Sequence, residues 1–306
     1  MANAWNGMTA DNIARLSIAT LEKSLVPLAV FATDLSTDIQ DQGTTVSTRV
    51  VPAATASTDL VDAESGSYAT VTDDQSTTAV QVTLDPHPVT GFHLTDSEAQ
   101  SIAAGVWSST SEKLVKTHVR GIAEDVLDSA FALILNANYG AASLTSSAAN
   151  FDSDDVADLR AVAVAAGWDM EDAWLVLNPD YYAALLKDNA ISDFSSSQSD
   201  ALRSGKLPRL SSFKVIEAPT LPGNSQNLTG FIATTGGVAV AMRGVDIQDR
   251  SSFLHYEIMQ GDVVGAVITY SAVYTATTTR RVDHIFEALY GVKVAQAACI
   301  KRIVSA

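Results

Sequence analysis

Ala53 to Thr78 constrains this chain more than any other stretch, because it carries almost nothing that could hold it in a core. It is rich in Ala, Ser, Thr and Asp, and its larger apolar residues are only Leu60, Val61, Tyr68 and Val71. Ordering a backbone costs about 1–2 kcal/mol per residue, and this stretch has too little apolar surface to offset that alone. Strand-like alternation flanks it: Val46, Thr48 and Val50 before Pro52, then Val80, Val82 and Leu84 before Asp85-Pro86-His87-Pro88. Two strands around a long polar span predict a two-stranded excursion from the body. A loop of that length in a compact domain is usually functional or disordered. If this one is ordered, it must be ordered by lying on another molecule.

The next stretch predicts a long helix. Thr95-Asp96-Ser97-Glu98 has the form of a capping box, in which a Thr hydroxyl and a Glu carboxylate satisfy the first free N–H groups. A short apolar-periodic segment follows (Ile102, Ala103, Val106, Trp107), and Ser108 to Ser111 reads as a break. From Glu112, Val115, Val119, Ile122, Val126, Ala130 and Leu133 recur at helical spacing, opposite Lys116, Arg120, Glu124, Asp125 and Asp128. Asn138-Tyr139-Gly140 ends a helix of about 25 residues, roughly 37 Å at 1.5 Å per residue.

Elsewhere the pattern is mixed. Thr9 to Asn12 caps a short helix bearing Ile13, Leu16 and Leu21, a thin stripe that Pro27 interrupts. Such an N-terminal segment is poorly ordered unless something ties it down. Ala141 to Asn150 reads as a small-residue linker, and Phe151 to Gly167 as a helix led by Asp152, Asp154 and Asp155. Ala173 to Leu177 is a buried strand, and Asn178-Pro179-Asp180 opens another helix. Strands are expected at Phe213 to Glu217, Phe231 to Thr234, the segment ending at Met242, Val263 to Thr275 and Ile285 to Val294. The fold class is α+β, with an α/β domain after the long helix.

Composition excludes several functions. With 19 Lys and Arg against 35 Asp and Glu, the 306-residue chain has a formal net charge of −16. It is no electrostatic partner for phosphate backbones or anionic membranes. The one cysteine, Cys299, excludes an internal disulfide and a Cys-based metal cluster, and its neighbours suit an inert core residue. No signal peptide or membrane-spanning run is expected. His87, His93, His118, His255 and His284 show no HExxH or other ligand spacing. The Asp152 cluster lacks the Gly and Glu of a calcium loop, which makes it a helix cap. Walker A, GxGxxG and GxSxG motifs are absent, and Gly236-Gly237 reads as a turn. Arg280-Arg281 and Lys301-Arg302 are expected to pair with carboxylates. No catalytic residue, cofactor or metal is expected.

The order of parts (arm, two-stranded polar loop, long helix, linker, α/β domain) resembles the major capsid proteins of tailed bacteriophages. Local sequence agrees along nearly the whole chain. His87-Pro88-Val89-Thr90-Gly91-Phe92-His93-Leu94-Thr95-Asp96 is similar to the family's return from the extended loop into its spine helix. Trp174 to Tyr182 resembles its axial-domain strand and helix. Gly205-Lys206-Leu207-Pro208, Phe213 to Ile216 and Pro219 to Pro222 resemble the later strand and loop. The resemblance implies the capsid fold that encapsulin shells and the herpesvirus capsid floor share. Its parts would be an N-terminal arm (1–45), an extended loop (46–94), a spine helix with peripheral domain (95–150), an axial domain (151–261) and C-terminal strands (262–306). Hexamers and pentamers would close an icosahedral shell around double-stranded DNA without sequence-specific binding. The shell would be a virion capsid assembled in the host cytoplasm, away from membranes.

By position, the resemblance implies an assembly interface at Arg49, Asp59, Leu60, Asp62, Glu64, Tyr68, Asp73 and Asp74. Some relatives cross-link through a lysine in this loop, but no lysine lies between Lys23 and Lys113, so no such bond is expected. Arm and loop occupy everything before Thr95, so a fused, cleaved scaffold segment is not expected. A separate scaffolding protein, a portal and decoration proteins are the implied partners. The alternative readings are an encapsulin-type nanocompartment shell, an enzyme with an unannounced site, and a surface-layer or adhesin domain.

Overall fold

A helix of 25 residues, α2 (Ser108–Ala132), buries one face in the main apolar core and leaves the other exposed. The computed structural model describes residues 10–36, 45–50, 78–98, 108–188, 207, 209–219, 221, 225–247, 249–275 and 280–306. Val115, Val119, Ile122, Val126 and Ala130 of α2 are buried as their spacing requires, and Ala123, Leu127 and Phe131 widen the stripe. The helix starts at Ser108, four residues before Glu112, so the Ser/Thr run is its first turn and not a break. Ser and Thr carry only a modest helix-propensity penalty, which the packing of the following stripe overrides. It ends at Ala132, and a one-turn helix, α3 (Asn136–Tyr139), follows before Gly140 at φ 79°.

The N-terminal stretch is a 20-residue helix, α1 (Ala10–Ala29), that runs through Pro27. Pro27 lies in the last turn, where little helix remains to break. Leu21, Leu25 and Leu28 have no exposed surface, and α1 packs along α2 and a four-stranded antiparallel sheet. This stretch is thus tied down in the central core. The sheet has the order β10 (His255–Gln260), β11 (Val267–Thr275), β12 (Arg281–Glu287), β4 (Val89–Thr95). The expected strand from Val263 begins at Val267, because Val264 and Gly265 take positive φ in a turn.

Ile285 to Val294 is two strands, not one. β12 ends at Glu287, and β13 (Leu289–Val294) joins a three-stranded sheet of order β1 (Ala32–Asp34), β9 (Val238–Arg243), β13. The switch of sheets falls at the fully buried Ala288.

The third sheet has five strands: β5 (Leu144–Thr145), β14 (Ile300–Val304), β8 (Leu228–Ala233), β6 (Trp174–Leu177) and β7 (Lys214–Glu217). It is covered on both faces, which explains the unbroken apolar run of β6. Leu175 and Leu177 pack with α4 (Ser153–Ala165) and α5 (Pro179–Lys187), while Val176 and Phe231 turn toward the central core. The caps are those expected: Asp152 accepts from the backbone N–H of Asp154 and Asp155, and Asn178 from that of Tyr181. The expected linker is stitched into the sheet, since Leu144 and Thr145 pair with Ile303 and Val304. Three phenylalanines join this sheet to the helices. Phe31 lies 5.8 Å from Phe131 and 5.2 Å from Phe231, centroid to centroid.

Candidate assembly surfaces

The base of the predicted excursion is present. β2 (Thr45–Val50) and β3 (Thr78–Thr83) pair antiparallel, in register from Thr45 with Thr83 to Val50 with Thr78. Val46, Val80, Val82 and Leu84 are buried with Leu35, Ala239 and Ala241 in an apolar cluster of their own. The alternation seen in sequence therefore anchors the hairpin's base to β9. Gly291 of β13 completes the anchor: a Cβ there would collide with the backbone carbonyl of Thr83. Only glycine admits β3 this close. Arg49 lies on β2 opposite Ala79, next to the strand's last residue. Asp59, Leu60, Asp62, Glu64, Tyr68, Asp73 and Asp74 lie outside the described residues, as does the GKLP segment apart from Leu207.

The return from the hairpin is firmly held. β4 pairs along its length with β12, Val89 with Glu287 through Thr95 with Arg281. The capping box forms: Thr95 donates from its N–H (2.9 Å) and its hydroxyl (2.8 Å) to Glu98, whose own N–H reaches the hydroxyl at 3.4 Å. Those two donors, the backbone one foremost, hold the Glu98 carboxyl below its ordinary pKa. His87 of the preceding turn contacts Glu287 at 3.0 Å.

A row of rings crosses the four-stranded sheet. Phe92 on β4 stacks on His118 of α2 (5.6 Å) and on His284 of β12 (5.0 Å). His118 Nδ1 lies 2.6 Å from the Thr90 hydroxyl, and His284 Nδ1 lies 2.8 Å from the Tyr270 hydroxyl. Burial pushes His284 down to about 4 and the Tyr270 hydroxyl well above its ordinary value. These histidines pack, as expected of His118, and bind strand to strand and sheet to helix. Cys299 is also buried, and burial raises its thiol pKa, which suits an unreactive core residue.

The basic pairs divide. Arg281 meets Asp283 at 3.0 Å, the carboxylate pairing expected. Arg302, 3% exposed, instead donates to the Gly140 carbonyl (3.0 Å) and the Gln226 side-chain oxygen (2.7 Å). Its guanidinium fork fits two separate acceptors across a strand end, which periodicity could not reveal.

Some exposed apolar side chains lie on or beside the two edges of the four-stranded sheet. Val89 (56% exposed) is on β4 at one edge, Ile258 (41%) on β10 at the other, and Leu254 (64%) just precedes β10. A sheet edge presents free backbone donors and acceptors, so it is a natural place for a second chain.

No family model and no curated protein sequence matches the chain. Its fold is nonetheless that of several solved shells. The capsid of the cyanophage P-SCSP1u matches with TM-score 0.56 at 14% identity, over 90% of this chain and 86% of that one. A virus-like particle from Pyrococcus furiosus matches with TM-score 0.52 at 10% identity, over 96% and 98%. A satellite phage P4 procapsid that includes the size determination protein Sid matches with TM-score 0.51 at 11% identity, over 95% and 90%. Near-complete coverage of both chains makes the likeness one of whole architecture. The chain has the major capsid fold of tailed bacteriophages.

Proposed function

We propose that the protein is a major capsid protein, a structural subunit that assembles as hexamers and pentamers into an icosahedral shell around double-stranded DNA. The observation that carries this reading is the anchored hairpin base, with its polar span between the strand ends, on a body with the capsid fold. The extended loop expected over 46–94 would clamp a neighbouring subunit, because its polar span, Ala53 to Thr78, has too little apolar surface to stabilise itself. The five-stranded sheet with α4 and α5 forms the axial domain at the centre of each capsomer. α1, α2 and the four-stranded sheet form the peripheral domain. Since the chain is acidic, the wall holds the genome without attracting it.

The shell belongs to a virion put together in the host cytoplasm, and the subunit is no enzyme. A separate scaffolding or size-setting protein fits the procapsid that contains Sid, and a portal and decoration proteins complete the partner set. Two phage shells among the three relatives described favour a virion over a protein-filled compartment.

Deletion of 53–78 tests the clamp. Light scattering and circular dichroism should show a folded subunit that no longer forms large particles. Normal shells from the deleted chain would overturn the clamp.

A further inference from the structure

Where α1 begins, it brings together three side chains that no spacing in the sequence connects. Asp11 lies in the first turn of α1, and His255 and Glu257 alternate on the edge strand β10, so both point to the same face of the sheet. One ligand atom from each, a carboxylate oxygen or an imidazole nitrogen, lies within 4.8 Å of the other two. We propose that Asp11, His255 and Glu257 bind a first-row divalent cation, with zinc the best chemical match.

His255 Nε2 and a Glu257 oxygen are 3.3 Å apart. Two tetrahedral ligands each about 2.0–2.1 Å from zinc are themselves about 3.3–3.4 Å apart. This pair is therefore already spaced for coordination, and the exposed Asp11 has only to rotate inward. A dication would balance the charge of the two carboxylates. An imidazole with two carboxylates suits zinc and its neighbours, whereas calcium and magnesium prefer sites built wholly from oxygen. Three protein ligands at a partly exposed site leave a fourth position for water.

The framework is rigid enough to hold such a site. The His255 ring packs against Tyr270 at 5.5 Å. Eleven residues further along α1 than Asp11, at the other end of the helix–strand contact, Glu22 accepts from the Asp262 N–H at 2.7 Å. The ion would pin the first turn of α1 to an edge strand, closing the end of the contact that Glu22 leaves open.

The site stands independently of the shell reading, because its readout is metal binding by the full chain. After chelator treatment, calorimetric titration with zinc should give one ion per chain, and cobalt should give the visible bands of a low-coordinate site. Loss of a residue that merely hydrogen-bonds a metal ligand weakens metal sites about 10- to 100-fold. His255→Ala should therefore cost at least about tenfold in affinity, and Asp11→Asn, at an exposed position that leaves the fold intact, should also weaken binding. Zinc should raise the melting temperature of the wild type more than that of either variant. Absence of stoichiometric zinc binding would overturn the proposal, as would wild-type affinity in Asp11→Asn and His255→Ala. Displacement of zinc by equimolar calcium would also overturn it.

Discussion

His284 shows how a single buried side chain ties stability to pH. Burial holds its folded pKa at about 4, below the ordinary 6.5. The unfolded chain therefore binds a proton that the folded one refuses, and stability rises with pH across that window. Acidification from pH 6.5 to about 4 should cost on the order of 3 kcal/mol through this group. Urea unfolding across that range should show the loss, and His284→Gln should flatten it; an equal slope in the variant would remove His284 as its source. Phe131 works through packing alone. It is fully buried and lies 5.8 Å from Phe31 and 6.0 Å from Phe231. Phe131→Ala should cost about 3–5 kcal/mol in chemical denaturation, because it opens a cavity where the helices meet the five-stranded sheet. A loss below about 1 kcal/mol would mean that the site collapses or was poorly packed.

At the scale of elements, the β2–β3 hairpin rests on one small residue. Gly291→Ala would push a methyl group into the Thr83 carbonyl and lift β3 away from β13. The expected outcome is faster proteolytic cleavage within the hairpin and loss of assembly, with α2 and the five-stranded sheet still folded by circular dichroism. Unchanged cleavage and assembly would show that the strand tolerates the shift.

Elements with a strong local signature were the ones legible in the sequence. The stripe of α2, the Thr95–Glu98 box, the Asp152 and Asn178 caps and the alternation of β2 and β3 are all local patterns, and all are present. Elements decided by distant partners were not. β10 and β14 carry no clean period, because β10 is an edge strand and β14 is buried through pairing with β8 and β5. α1 looked thin because Ser17 and Thr20 sit on its buried side. Their hydroxyls bond back to the Ile13 and Leu16 carbonyls, which lets polar residues face a core. Asp11, His255 and Glu257 were invisible for the same reason, since packing and not spacing joins them.

At the scale of the whole molecule, charge and architecture act together. A net charge of −16 on each subunit means that copies repel in dilute salt. Particle yield or shell melting temperature should therefore rise with ionic strength, and a response flat in salt would place the interfaces away from the acidic surface.

Electron microscopy of the purified protein, with salt and a scaffolding partner supplied, tests the central claim most directly. The account predicts closed particles whose walls resolve into five- and six-subunit clusters. A population that stays at the 32.2 kDa of a single chain under those conditions would contradict it.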